Sequence, residues 1–71
     1  MATNVEAPMV GKILKIEKNV GDHVEEDEVV VVMEAMKMEN SIMIHADATI
    51  KKVSVSPGQA VDKGQVLIEL V

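Results

Sequence analysis

The chain has 71 residues, which fits one small domain and excludes two domains with an active site between them. Its hydrophobic fraction is 48% without a single Phe, Tyr or Trp, so the core has to be built from Val, Ile, Leu, Met and Ala, and the aromatic platforms that stack single-stranded bases are excluded. Twelve acidic residues against seven basic ones, all lysine, leave a net charge of −5, which argues against nucleic-acid or phosphate binding and suits docking on a basic face of a larger protein.

In chain order, the first predicted element is a strand over 12–18, rich in Ile and Val. "NVGD" (19–22) reads as a turn, with Gly21 supplying a positive φ. His23 belongs to that turn as a solvated histidine, and "EEDE" (25–28) reads as an acidic loop that favours solubility. A second strand is predicted over 29–34, starting with "VVVVM", and a third over 39–45. Between them "AMKM" spans a tight hairpin turn with Lys37 outermost. His45 ends the third strand with Asp47 as its one nearby acid, too few ligands for a metal site. Further strands are predicted over 49–55 and 66–71, separated by a turn at "SPGQ" (56–59). No stretch sustains a 3.6-residue apolar period, so no helix beyond a single turn is expected. No apolar run approaches the roughly 18 residues that span a bilayer, and "MATNVEAPMV" resembles neither a signal peptide nor a basic transit segment. The expected location is cytoplasmic, without membrane insertion. The absence of cysteine excludes disulfides and thiolate chemistry.

The chain repeats itself. Shifted by 37 positions, Ile13 falls on Ile50, Gly21 on Gly58, Val24 on Val61, Val29 on Val66 and Met33 on Leu70. Asp27 falls on Gly64 and marks a second equivalent pair of turns. The shared apolar positions 13/50 and 16/53 lie three apart, which breaks alternation and calls for a bulge or bend in each strand. Two such copies predict an all-β fold: a sandwich closed at its corners into a flattened barrel with a pseudo-twofold axis. The midpoint of the repeat places the Lys37 hairpin at one end and the termini at the other.

The sequence around Lys37 allows two readings. Lys37 is a surface lysine between two methionines that alternation packs together into the core, or an amine offered for covalent modification with Met36 and Met38 as adaptable contacts for the modifying enzyme. No Ser/His/Asp set, Cys or Gly-rich phosphate loop provides a catalytic alternative.

"EAMKMEN" (34–40), set between two "G-x-x-V" copies, closely resembles the biotinyl domains of biotin-dependent carboxylases and decarboxylases, a family whose fold is shared by lipoyl domains. The resemblance runs from "VEAPMVGKI" (5–13) to "GQVLIELV" (64–71), so residues 1–71 are expected to form a single carrier domain of biotin carboxyl carrier type. It implies two four-stranded antiparallel sheets. It also implies biotin attached covalently to Lys37 by a biotin protein ligase, with Ala35, Met36 and Met38 as recognition residues. The arm would carry a carboxyl group from a biotin carboxylase to a carboxyltransferase or decarboxylase, and the domain itself would not be an enzyme. Lipoyl domains usually carry "DKA" in place of "MKM", so a lipoyl carrier is the alternative and biotin the expectation. Asp27 and Ala48 stand where the family often has Gly, and no inserted thumb interrupts the first copy.

Overall fold

The computed structural model describes residues 4–71, and eight strands account for its regular structure. These are β1 (Val5–Glu6), β2 (Gly11–Ile16), β3 (His23–Val24), β4 (Val29–Ala35), β5 (Met38–Met43), β6 (Ala48–Val53), β7 (Ala60–Val61) and β8 (Val66–Leu70). They form two four-stranded antiparallel sheets, in the orders β1-β8-β6-β3 and β5-β4-β2-β7. A 37-residue shift carries β2 onto β6, β3 onto β7 and the start of β4 onto the start of β8, so each sheet is the image of the other.

The core is assembled twice in the same way. Ile13 and Ile50, Val24 and Val61, Val30 and Leu67, Val31 and Ile68, and Met33 and Leu70 are all buried. Each fully buried aliphatic side chain contributes about 1.5–3 kcal/mol, and the absence of aromatics is met by dense use of branched residues. Bulges explain a burial pattern that strict alternation forbids. Leu14 is skipped between the pairs Ile13↔Met33 and Lys15↔Val32, and Lys51 between Ile50↔Leu70 and Lys52↔Glu69. Val30 is skipped in β4 and Leu67 in β8, which lets neighbouring residues (Val30 with Val31, Leu67 with Ile68) both turn inward.

The turns interlock the copies. Gly21 donates its N–H to the Ile50 carbonyl at 2.8 Å, and Gly58 donates to Ile13 at 2.7 Å. Asp27 donates to Ile44 and Gly64 to Ala7, both at 2.8 Å. Asp27 has φ 72° and Gly64 φ 85°, so the first copy holds an aspartate in the left-handed region that its mate fills with glycine. A Cβ at Gly64 would meet no atom within 4 Å, so conformation and not space sets the preference there. Asp27→Gly is therefore expected to leave stability unchanged or raise it by up to about 1 kcal/mol, the relief of left-handed strain less the glycine entropy cost. A urea unfolding midpoint checks it, and a fall of the midpoint would contradict it.

The acidic loop is a structured turn. The Glu28 carboxylate accepts the Glu25 N–H at 2.9 Å and lies 2.7 Å from the Lys18 ammonium. The hydrogen bond from Lys18, followed by that from the Glu25 N–H, holds the Glu28 carboxyl below its ordinary value of 4.5, and the same partner raises Lys18 above its ordinary 10.5. The stabilisation on the Glu28 side is thus fully present above the ordinary carboxylate value and is lost as pH falls through the lowered one. On the Lys18 side it is present below 10.5 and lost as pH rises through the raised value. The second copy has Gln65 at the equivalent place, accepting the Asp62 N–H at 3.1 Å through a neutral amide. Glu28→Gln is expected to keep the turn and flatten the acid limb of the stability curve below about pH 4.5. Parallel pH–stability curves for variant and parent would exclude this.

Three strands of two residues, β1, β3 and β7, are too short to register as sequence patterns. His23 opens β3 opposite Thr49 instead of sitting in the turn, which corrects its expected placement, although its side chain is exposed. The observed strand ends differ from the predicted ones by up to two residues. Val71 exchanges both backbone hydrogen bonds with Thr49, so the C-terminal residue lies by the β5–β6 connection, at the opposite end of β5 from Lys37. Asn4 precedes β1, whose register against β8 directs it toward the same end. Among the described residues there is no helix long and apolar enough to cross a membrane.

Candidate functional site

β4 and β5 are joined by two residues, Met36 and Lys37, and their register runs Ala35↔Met38, Glu34↔Glu39, Met33↔Asn40. A two-residue hairpin that follows the right-handed strand twist needs positive φ at both central positions. Met36 has φ 54° and Lys37 φ 63°. Such turns favour Asn-Gly, and a side-chain-bearing residue held in this region costs about 1–2 kcal/mol. The strain therefore sits at the residue the sequence singles out, and it persists because the flanking ladder over-determines it.

The root of the hairpin is tightly built. Ala35 is 4% exposed. Gly11 on β2 faces it: a Cβ at Gly11 would collide with the Glu34 carbonyl oxygen, and would lie 2.6 Å from Met33 Cε and 3.2 Å from Ala35 Cβ. Glycine is required there for space, so that β2 can close on the strand that carries the turn. The tip is the reverse. Met36 is 86% and Met38 67% exposed, and Lys37 is exposed between them. The packing of Met36 and Met38 that strand alternation suggested does not occur, because residue 36 lies in the turn and residue 38 at the strand's outermost position. Among the described residues Met33, two residues inside the strand, is the fully buried methionine.

The structure brings Ala35, Met36, Lys37 and Met38 together in one turn, with Ala35 covered and the other three presented. On the outer face, Glu34 pairs with Glu39 on one side and with Lys12 on the other, so the root carries two adjacent carboxylates. Among the described residues Lys37 forms no ion pair, and no three His, Cys, Asp or Glu side chains converge on a point that would hold a metal. A groove of about 500 Å³ runs between β1 and β5, lined in part by Val5, Pro8, Ile42, Ile44 and Leu70, and Lys37 does not line it. What the tip offers chemically is one accessible primary amine on a defined backbone, suited to acylation by an enzyme that grips the flanking methionines. The sequence reading did not single out Gly11 or Asn40, nor the left-handed backbone of residues 36 and 37, which carries no Gly or Asn signal.

Residues 3–70 match the biotin–lipoyl domain family, described as biotin-requiring enzyme. A biotin carboxyl carrier protein of Streptococcus mutans is 45% identical over 69 residues, covering 97% of this chain and 53% of the relative. A biotin/lipoyl attachment protein of Bacillus subtilis is 35% identical over 66 residues, covering 93% of this chain and 90% of the relative. Among solved structures, the urea carboxylase of Kluyveromyces lactis superposes with a TM-score of 0.93 at 28% identity, covering 100% of this chain and 6% of that one. The chain thus spans about half of the carrier-protein relative and a small part of the carboxylase. With the family model matched over nearly its whole length, this chain belongs to the biotin–lipoyl attachment-domain family.

Proposed function

We propose that residues 1–71 form one biotin carboxyl carrier domain, with biotin joined by an amide to Lys37 Nζ. The observation that carries the reading is the exposed lysine at the second position of a left-handed two-residue turn, flanked by exposed Met36 and Met38, in a chain of a biotin-requiring family. When bound, biotin supplies a ureido nitrogen able to accept and release a carboxyl group. The chain supplies presentation. The amide removes the Lys37 charge, the tip holds the tether clear of both sheets, and the β4–β5 ladder fixes its origin. A tether of this kind lets one group visit separate active sites at high effective concentration.

Met36 and Met38 are assigned to contact with a biotin protein ligase, where their flexible side chains adapt to its rim. Ala35 enters recognition through its small size, since its methyl group is covered. The partners that follow are the ligase, a biotin carboxylase, and a carboxyltransferase or decarboxylase, all acting in the cytoplasm. The lipoyl alternative has weaker support, because Met36 and Met38 stand where lipoyl domains usually carry acid and alanine, and the first-described relative is a biotin carrier.

Incubation with a biotin protein ligase, ATP and biotin should add one biotin to the intact mass, and peptide mapping should place it on Lys37 among the seven lysines. An unchanged mass, or modification by a lipoate ligase instead, would overturn the reading.

A further inference from the structure

We infer that Asn40 is a positioning residue for Lys37, its carboxamide holding the exit of the left-handed turn by donating to the Met38 carbonyl. The inference rests on Lys37 being the biotin acceptor, and it draws on two independent features of β5. The first is a break in pattern. One face of the β4–β5 pair carries Ala35 with Met38, Met33 with Asn40 and Val31 with Ile42, and it turns inward from Met33 onward while Met38 stays exposed at the tip. Ala35, Met33 and Val31 are buried, and five of these six residues are apolar. Asn40 is half-buried among them, and asparagine is disfavoured in strands. An apolar residue would serve the sheet better at this place.

The second feature is what the amide does. Asn40 Nδ2 donates to the Met38 carbonyl at 3.2 Å. Met38 directly follows Lys37 and pairs with Ala35 to close the hairpin. This donor on that carbonyl fixes the peptide that leaves a turn in which Met36 and Lys37 both hold an unfavourable φ. Without it the tip is freer to leave the left-handed pair for the broader set of turns that residues with side chains prefer, and the Lys37 amine loses its fixed direction. The strand thus retains a locally unfavourable side chain at the one place where it can brace the modified residue.

The test compares the parent with Asn40→Leu, which removes the donor and suits the half-buried site, and with Asn40→Asp, which keeps the shape and loses the donor at neutral pH. Two quantities are measured: kcat/KM of a biotin protein ligase for each acceptor, and amide hydrogen exchange along the chain. Both variants should lower kcat/KM by roughly five- to tenfold, the weight of one net hydrogen bond. Exchange should rise at Ala35 and Met38, which close the hairpin, and stay unchanged in β2, β6 and β8. An unchanged kcat/KM overturns the inference. So does a lower kcat/KM with unchanged hairpin exchange, which would make Asn40 a direct ligase contact, or exchange rising throughout the core, which would make it a general stability residue. If the parent itself accepts no biotin, the carrier reading fails, and hairpin exchange in Asn40→Leu still decides whether Asn40 braces the turn.

Discussion

Lys37→Ala is expected to abolish biotin acceptance completely and to leave the melting temperature within about 3 °C of the parent. The first half follows from the geometry of the other amines. The chain has seven lysines, and the remaining six lie on strands or other loops, away from the tip between Met36 and Met38. The second half follows from what Lys37 does not do for the fold. It is exposed and, among the described residues, takes part in no ion pair or side-chain hydrogen bond. Alanine at φ 63° suffers the same steric cost as lysine, so the backbone strain is unchanged. A companion variant separates backbone from side chain: Lys37→Gly relieves that strain and should melt higher than Lys37→Ala while remaining equally inert to the ligase. Intact mass after ligase treatment and a thermal melt of each variant check the pair. Residual single-site biotinylation, or a fall in melting temperature well beyond the stated range, would show that the lysine is not the acceptor or that it has a structural role.

Much of this fold was legible because the sequence states it twice. The equivalence of Ile13 with Ile50 and Val24 with Val61 fixed the core, and the three-residue spacing to Ile16 and Val53 signalled the bulges at Leu14 and Lys51. Asp27 was readable as a left-handed residue because Gly64 is its repeat mate. Position 37 has no such help. It lies in the connection between the two copies, where the internal repeat offers no equivalent residue to compare it with. Its left-handed pair is imposed by the two-residue loop and the strand twist, since Met and Lys carry no local preference for it. Gly11 belongs to the same class. Its need is a collision with the Glu34 carbonyl across the sheet, a contact that appears only after β2 and β4 are paired. Asn40 was within reach, since the alternation Met38, Asn40, Ile42, Ile44 contains one polar member, but its meaning depends on a bond to a carbonyl that no sequence pattern displays.

Exchanging the two central residues of the turn, Met36→Lys with Lys37→Met, is expected to cut ligase kcat/KM by about a hundredfold or more without measurable loss of stability. Composition, charge and hydrophobicity are unchanged by the swap. Both positions are left-handed, with φ 54° and 63°, so neither residue moves to an easier or harder backbone. Neither side chain is buried, so no cavity opens and no charge is desolvated. What changes is where the amine starts and which way it leaves. Consecutive Cα atoms are about 3.8 Å apart, and successive side chains in such a tight turn diverge. A reacting group displaced by even about 1 Å loses rate by up to about a hundredfold, and here both origin and direction change. The two methionines would also become neighbours on one side of the amine, so a ligase that grips one on each side loses a contact. A buried-methionine model of the tip predicts the opposite pattern: lost stability, because a packed methionine would become lysine, and no special effect on modification. Ligase kinetics and thermal melts on parent and swapped chain separate the two. Equal biotinylation of the swapped chain would mean that the ligase tolerates an amine at either central position, and the argument from turn geometry would fall.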